Sequence, residues 1–173
     1  PFTEGASFVL PFEAFPGITL GSWLDKYGPK LNGATGITVR VGLWRKIAEA
    51  LNEAHGQGIV HRLLRPEVIL VADDPEASDL RVTGFELAKQ LHHAGTVVSS
   101  AISDDRRRFA APEVVRSFSD ADARSDQFSL GALLGHILIG RPLFDSTEEM
   151  IRRGGVFTRI RDVNASFKLQ LAR

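Results

Sequence analysis

The sequence predicts a mainly α-helical domain with a small β-hairpin, and three observations carry that prediction. Leu43, Trp44, Ile47, Ala48, Leu51 and Ala54 recur at helical spacing, with Arg45, Lys46, Glu49 and Glu53 between them, as on an amphipathic helix. Residues 126–139 place Phe128, Leu130, Leu133, Leu134, Ile137, Leu138 and Ile139 around nearly the whole helical circumference, the mark of a helix buried centrally. Between these segments, Ile69-Leu70-Val71 and Leu80-Arg81-Val82 flank the turn-rich stretch ADDPEAS, which suggests two short strands in a hairpin.

Taken in chain order, the apolar run at residues 7–10 is closed by Pro11, and FEAF and a Pro16-Gly17 turn follow. This reads as a strand leading into a connector. Thr19 can cap a short helix through Asp25. Residues 27–42 hold four glycines (28, 33, 36 and 42) and one proline, the composition of a surface loop. The amphipathic helix then ends at Gly56-Gln57-Gly58. Ser125 or Asp126 can cap the central helix, Gly140 and Pro142 stop it, and Ser146-Thr147-Glu148-Glu149 offers a capping box to the next one. Residues 154–173 carry an apolar residue every few positions without a clear ending.

Composition narrows the functional classes. With 173 residues, 43% hydrophobic and 24% charged, the chain is long and apolar enough to bury a core of its own. Lys+Arg and Asp+Glu are 21 each, so no overall basic field exists to draw in nucleic acid or an anionic membrane. The absence of cysteine removes disulfides, thiolate nucleophiles and Cys-based zinc sites, and fits a reducing compartment, the cytoplasm by default. The most apolar stretch, FSLGALLGHILIG at residues 128–140, is too short and interrupted to span a bilayer. The chain opens on PFTEG rather than Met, and reads as a piece of something longer.

Five segments then stand in a telling order: GIVHRLLRPEVIL from Gly58, VTGFELAK from Val82, FAAPEVV from Phe109, SDQFSLGALL from Ser125 and GRPLF from Gly140. The first resembles the protein kinase catalytic loop, His-Arg-Asp-Leu-x-x-x-Asn, and the second the metal-binding segment Asp-Phe-Gly. The third keeps an intact Ala111-Pro112-Glu113, the fourth is similar to the central helix of the large lobe, and GRPLF follows it as in that family. The resemblance implies a kinase-like C-terminal lobe, mainly helical, over residues 19–173, with the last small-lobe strand and hinge remnant at residues 1–18. Glu13, Ala14 and Phe15 would be the hinge, and the glycine-rich loop, the strand lysine and its glutamate partner would lie upstream of Pro1.

Phosphoryl transfer asks for a carboxylate to accept the substrate proton, and for an Asp and an Asn to hold two magnesium ions. Matched to the pattern, these roles fall on Leu63, Gly84 and Val68, none of which can perform them. Arg65 replaces the loop lysine, and Glu86 replaces the glycine of the metal segment. Residues resembling structural parts of the family are kept: His61 and Phe85 of the hydrophobic column, Arg62, the Ala111-Pro112-Glu113 motif and Asp126, which would brace the catalytic-loop backbone. Glu113 would pair with a later arginine, Arg159, Arg161 or Arg173.

Other candidates are weaker by their chemistry. His92-His93 has no acidic partner at ligand spacing, so no metal is expected there. Arg106-Arg107-Arg108 is compensated by Asp104-Asp105; with Arg62 it could pair with a phosphate on Thr96, Ser99, Ser100 or Ser103. The expectation is a degenerate kinase, a pseudokinase, without catalysis or magnesium and with ATP binding unsupported. Its partner would be a protein, either an active kinase or another domain of its parent chain. The alternatives are a divergent Ser/Thr kinase working through Glu86, Asp73 or Asp74, and a nucleotide sensor without turnover.

Overall fold

The computed structural model describes residues 2–4, 7–9, 14–85, 88–90 and 107–157. The elements run β1 (Phe2–Glu4), β2 (Ser7–Val9), β3 (Gly17–Thr19), α1 (Leu20–Tyr27), α2 (Gly33–Gly56), β4 (Ile59–Val60), β5 (Ile69–Ala72), β6 (Leu80–Val82), β7 (Lys89–Gln90), α3 (Pro112–Arg116), α4 (Ala123–Ile139) and α5 (Thr147–Arg152). Short 3₁₀ turns at Gly28–Lys30, Pro66–Val68 and Phe118–Asp120 link them.

The predicted hairpin forms. β5 pairs antiparallel with β6 in the register Ile69↔Val82, Leu70↔Arg81 and Val71↔Leu80. The sequence did not announce its third strand: Gly17 opens β3, which pairs with β5 through Gly17↔Ala72, Ile18↔Val71 and Thr19↔Leu70. The apolar run at residues 7–10 supplies β2, joined to a further unexpected strand, β1, through Phe2↔Val9, Thr3↔Phe8 and Glu4↔Ser7. Thr19 caps α1, its hydroxyl accepting from the Ser22 N–H at 3.2 Å.

The surface loop expected at residues 27–42 is the principal correction, because most of it belongs to α2. Its glycines and β-branched residues are poor helix formers, and tertiary contacts overrule them. The guanidinium of Arg40 donates to the carbonyls of Gly28 and Ile137, the latter in the last turn of α4, where backbone acceptors lack helical partners. Trp44 Nε1 donates to the Leu130 carbonyl of α4 at 2.9 Å. Gly36 is required by close approach, since a Cβ there would stand 2.3 Å from the carbonyl carbon and oxygen of Leu31.

Helix α4 starts before the expected cap. Asp122, not Ser125 or Asp126, is the N-cap: its carboxylate accepts from the N–H groups of Arg124 (2.8 Å) and Ser125 (3.3 Å), and the Ser125 hydroxyl accepts from the Asp122 N–H. Gly140 ends the helix at φ +82°, the left-handed cap its sequence predicts. Ser146 caps α5 by accepting from Glu149 N, while Glu149 Oε2 reaches the N–H of Asp145. Leu43, Ile47 and Leu51 of α2 and Ala132, Leu133 and Ile137 of α4 share one core with Leu20, Trp23 and the strand residues Ile69 and Val71. Among the described residues, no helix is long and apolar enough to cross a membrane.

Candidate functional site

The loop resembling a catalytic loop leaves β4 at His61 and enters the three-stranded sheet at β5 through the 3₁₀ turn at Pro66–Val68. Arg62 carries a positive φ of 72°, an unfavourable conformation for a residue with a Cβ, which persists only where the surroundings impose it. Asp126 imposes it from the first turn of α4. With 0% exposure, its Oδ1 accepts from the Arg62 N–H at 2.7 Å, and its Oδ2 accepts from the His61 N–H at 2.8 Å. His55, in the last turn of α2, places Nε2 2.8 Å from the same Oδ2. A carboxylate only accepts, so that nitrogen carries the hydrogen. Three donors thus satisfy one buried charge, which makes its burial tolerable.

The Arg62 side chain is buried as well, lying over the Phe118 ring with its guanidinium carbon 4.1 Å from the centroid. Burial draws the guanidinium below its ordinary range, and the Asp126 charge opposes that shift. The segment resembling a metal-binding one is tied to the same loop. His61 Nε2 lies 2.8 Å from the Thr83 carbonyl, and the Thr83 N–H donates to the Val68 carbonyl at 2.7 Å. The rings of His61 and Phe85 stand 4.8 Å apart at 60°.

Where the resemblance puts a proton acceptor and two metal ligands, the surroundings are apolar. Leu63 is 2% exposed and belongs to a cluster with Val60, Ala110, Ala111, Val114, Phe118 and Ala121. Val68 is 5% exposed and lies in the main core. Gly84 sits at φ +84°, and a Cβ built on it would stand 2.7 Å from Val68 Cγ1 and 3.0 Å from Val68 Cβ. The side chains at these positions do not fit the magnesium ions that the family's chemistry uses, because leucine, valine and glycine bring no side-chain oxygen.

The substitute carboxylates are engaged elsewhere. Asp73 accepts from Lys26 Nζ at 2.7 Å and from the Tyr27 hydroxyl at 3.0 Å, and the Lys26 bond leads in holding its carboxyl below the usual range. Asp74 accepts from the Ser78 hydroxyl at 2.6 Å within the hairpin turn. Among the described residues, no cluster of three His, Asp or Glu side chains could hold a metal ion. Glu86 lies outside the described residues.

Arg65 contacts Glu67 at 3.4 Å and the Leu63 carbonyl at 3.4 Å, both within its own loop. Of the hinge candidates, Ala14 is exposed and Phe15 half-buried just ahead of β3, while Glu13 is outside the described residues. Ala111 precedes α3, Pro112 opens it, and Glu113 Oε1 accepts from the Ser125 hydroxyl at 2.8 Å. Arg159, Arg161 and Arg173, His92-His93, Arg106, Thr96, Ser99, Ser100 and Ser103 all fall outside the described residues. Sequence reasoning missed His55 as a partner of Asp126 and Ser125 as a partner of Glu113. For His55 the available signal was Asp126 itself, a carboxylate on a helix apolar all round, which had to find buried donors.

The chain matches a family model described as "Protein kinase domain" over residues 2–172. It is 32% identical to the serine/threonine-protein kinase PknL of Mycobacterium tuberculosis over 141 residues, which are 82% of this chain and 33% of that protein. It is also 32% identical to the protein kinase MCK1 of Saccharomyces cerevisiae over 107 residues, 62% of this chain and 27% of that protein. The chain therefore spans about a third or less of the length of these relatives. With the family model covering nearly every residue, the chain belongs to the protein kinase domain family.

Proposed function

We propose that this chain is a non-catalytic protein kinase domain, a pseudokinase, which acts as a regulatory or scaffolding module by binding another protein. The observation that carries the reading is the burial of Leu63: the position matched to the proton acceptor is part of an apolar cluster. A missing general base lowers rate by roughly a hundred- to ten-thousand-fold. Loss of the metal ligands at positions 68 and 84 removes several kcal/mol more of charge stabilisation. Against these losses, the Asp126 brace and the His61–Phe85 contact preserve the shape of the loop. A shape kept without its chemistry suits recognition, with an active kinase or a neighbouring domain of the same protein as partner. The cysteine-free composition favours a reducing compartment, the cytoplasm.

A second reading follows from the names of the relatives, which are kinases: a divergent enzyme using Glu86, Asp73 or Asp74. Asp73 and Asp74 would first have to give up Lys26 and Ser78. The test is to incubate the full-length protein with γ-labelled ATP, Mg²⁺ or Mn²⁺ and generic acceptors. No transfer is expected; robust transfer abolished by a substitution in this chain overturns the reading.

A further inference from the structure

Val68 and Gly84 are separate losses in the sequence but a single object in space. Gly84 turns at φ +84°, and the Val68 side chain occupies the volume that a side chain at position 84 would have to enter, with Cγ1 2.7 Å from an added Cβ. Relief by rotation is limited. Valine is stiff at χ1, its own Cβ lies 3.0 Å from the added one, and the Thr83 N–H to Val68 carbonyl bond of 2.7 Å ties the two backbones together. The converse also holds. An asparagine at position 68 would put an amide into a site 5% exposed, facing a glycine with no side chain to pair with it, and an unpaired buried amide is strongly disfavoured.

We propose that the Val68–Gly84 contact is a steric lock that excludes a divalent cation from between these two positions, so that each substitution blocks reversion of the other. This rests on the non-catalytic reading and goes beyond it, because it makes Val68 the residue that decides cation exclusion. Aspartate is among the side chains that best tolerate a left-handed backbone, so at position 84 the valine branch adds a steric obstacle to the strain that φ +84° imposes on any side chain. Removing the branch while supplying a second oxygen donor opens the site.

The experiment is a double-mutant cycle in the full-length protein, reading melting temperature and direct binding of Mn²⁺ alone by titration calorimetry. Gly84→Asp and Val68→Asn each lower the melting temperature by several degrees and bind no Mn²⁺. The double variant loses less than the sum of the two single losses, binds Mn²⁺ and is stabilised by it. If Gly84→Asp does not fold, Gly84→Ala is compared in Val68 and Val68→Ala backgrounds, where the smaller melting-temperature penalty belongs to the second. Additive losses in either cycle overturn the lock, as does Mn²⁺ binding by Gly84→Asp with Val68 in place. Recovery of stability without Mn²⁺ binding overturns the claim that this contact excludes the cation. Phosphoryl transfer by the unmodified protein would sink the non-catalytic reading and leave the melting cycle standing, so the two failures are distinguishable.

Discussion

At its start the loop of residues 61–68 is held by a buried charge, whereas at its end it is held by apolar packing. Asp126 gives its oxygens to the N–H groups of His61 and Arg62 and to His55, fixing the backbone in a conformation that Arg62 does not favour by itself. Farther along, Leu63, Leu64 and Val68 instead enter two hydrophobic clusters, and the contact with Gly84 closes the gap. Burying a carboxylate is unfavourable unless it is fully paired, while burying leucine and valine is favourable without partners. The difference teaches that the loop's shape rests on a buried charge, while two of the three positions matched to the chemistry, Leu63 and Val68, are core.

Substitutions at the two ends should therefore fail differently. Asp126→Ala has the largest expected effect, about 3–5 kcal/mol of lost stability, because it strands buried donors from two backbone amides and one imidazole. Chemical denaturation of the full-length protein measures it; a loss under about 1 kcal/mol would break the claim that the brace sets the loop.

His136 sharpens the contrast between a carboxylate paired on both oxygens and an imidazole with one buried nitrogen left unpaired. Its Nδ1 is buried without a hydrogen-bond partner among the described residues, beside the edge-on ring of Phe109. Burial pushes the imidazole below its ordinary value of 6.5, against a weaker opposing bond to the Arg141 backbone. The unfolded chain then binds the proton more readily. The stability contribution is complete above about pH 6.5 and is lost as pH falls through the depressed folded value. His136→Leu should flatten that limb of a stability-versus-pH curve.

Asp122 gives the smallest effect, being a half-exposed cap. Asp122→Ala should cost about 1 kcal/mol. Its carboxyl is held below the ordinary 3.8, chiefly by the Arg124 side chain, so its contribution is present above that pH and lost as pH falls through the depressed folded value. The difference between the two proteins should vanish in strong acid, as thermal melting across pH will register.

The hairpin was legible because its strands are short, mostly apolar runs around a turn-forming stretch, and the central helix because its apolar residues encircle it. The first half of α2 was not. Gly33, Thr35, Gly36, Thr38 and Gly42 compose a loop by local preference, and what makes them helical includes an arginine bonded to a carbonyl 97 residues away. Strand β3 was hidden by its Pro16-Gly17 lead-in, and the α4 cap is Asp122 rather than Ser125 or Asp126 because its carboxylate meets the N–H groups of Arg124 and Ser125. In the site, the losses at positions 63, 68 and 84 are visible as letters. That Val68 fills the space above Gly84 is not, because the contact depends on φ at Gly84 and on how β5, β6 and the intervening turns fold back.

Leu63→Asp in the full-length protein tests the central claim most directly, read for stability and for transfer from γ-labelled ATP. If Leu63 is core, the aspartate enters an apolar cluster, stability falls by about 3 kcal/mol or more, and transfer stays at background. Unchanged stability together with the appearance of transfer would show position 63 to be an open catalytic position awaiting its carboxylate, and would contradict the account.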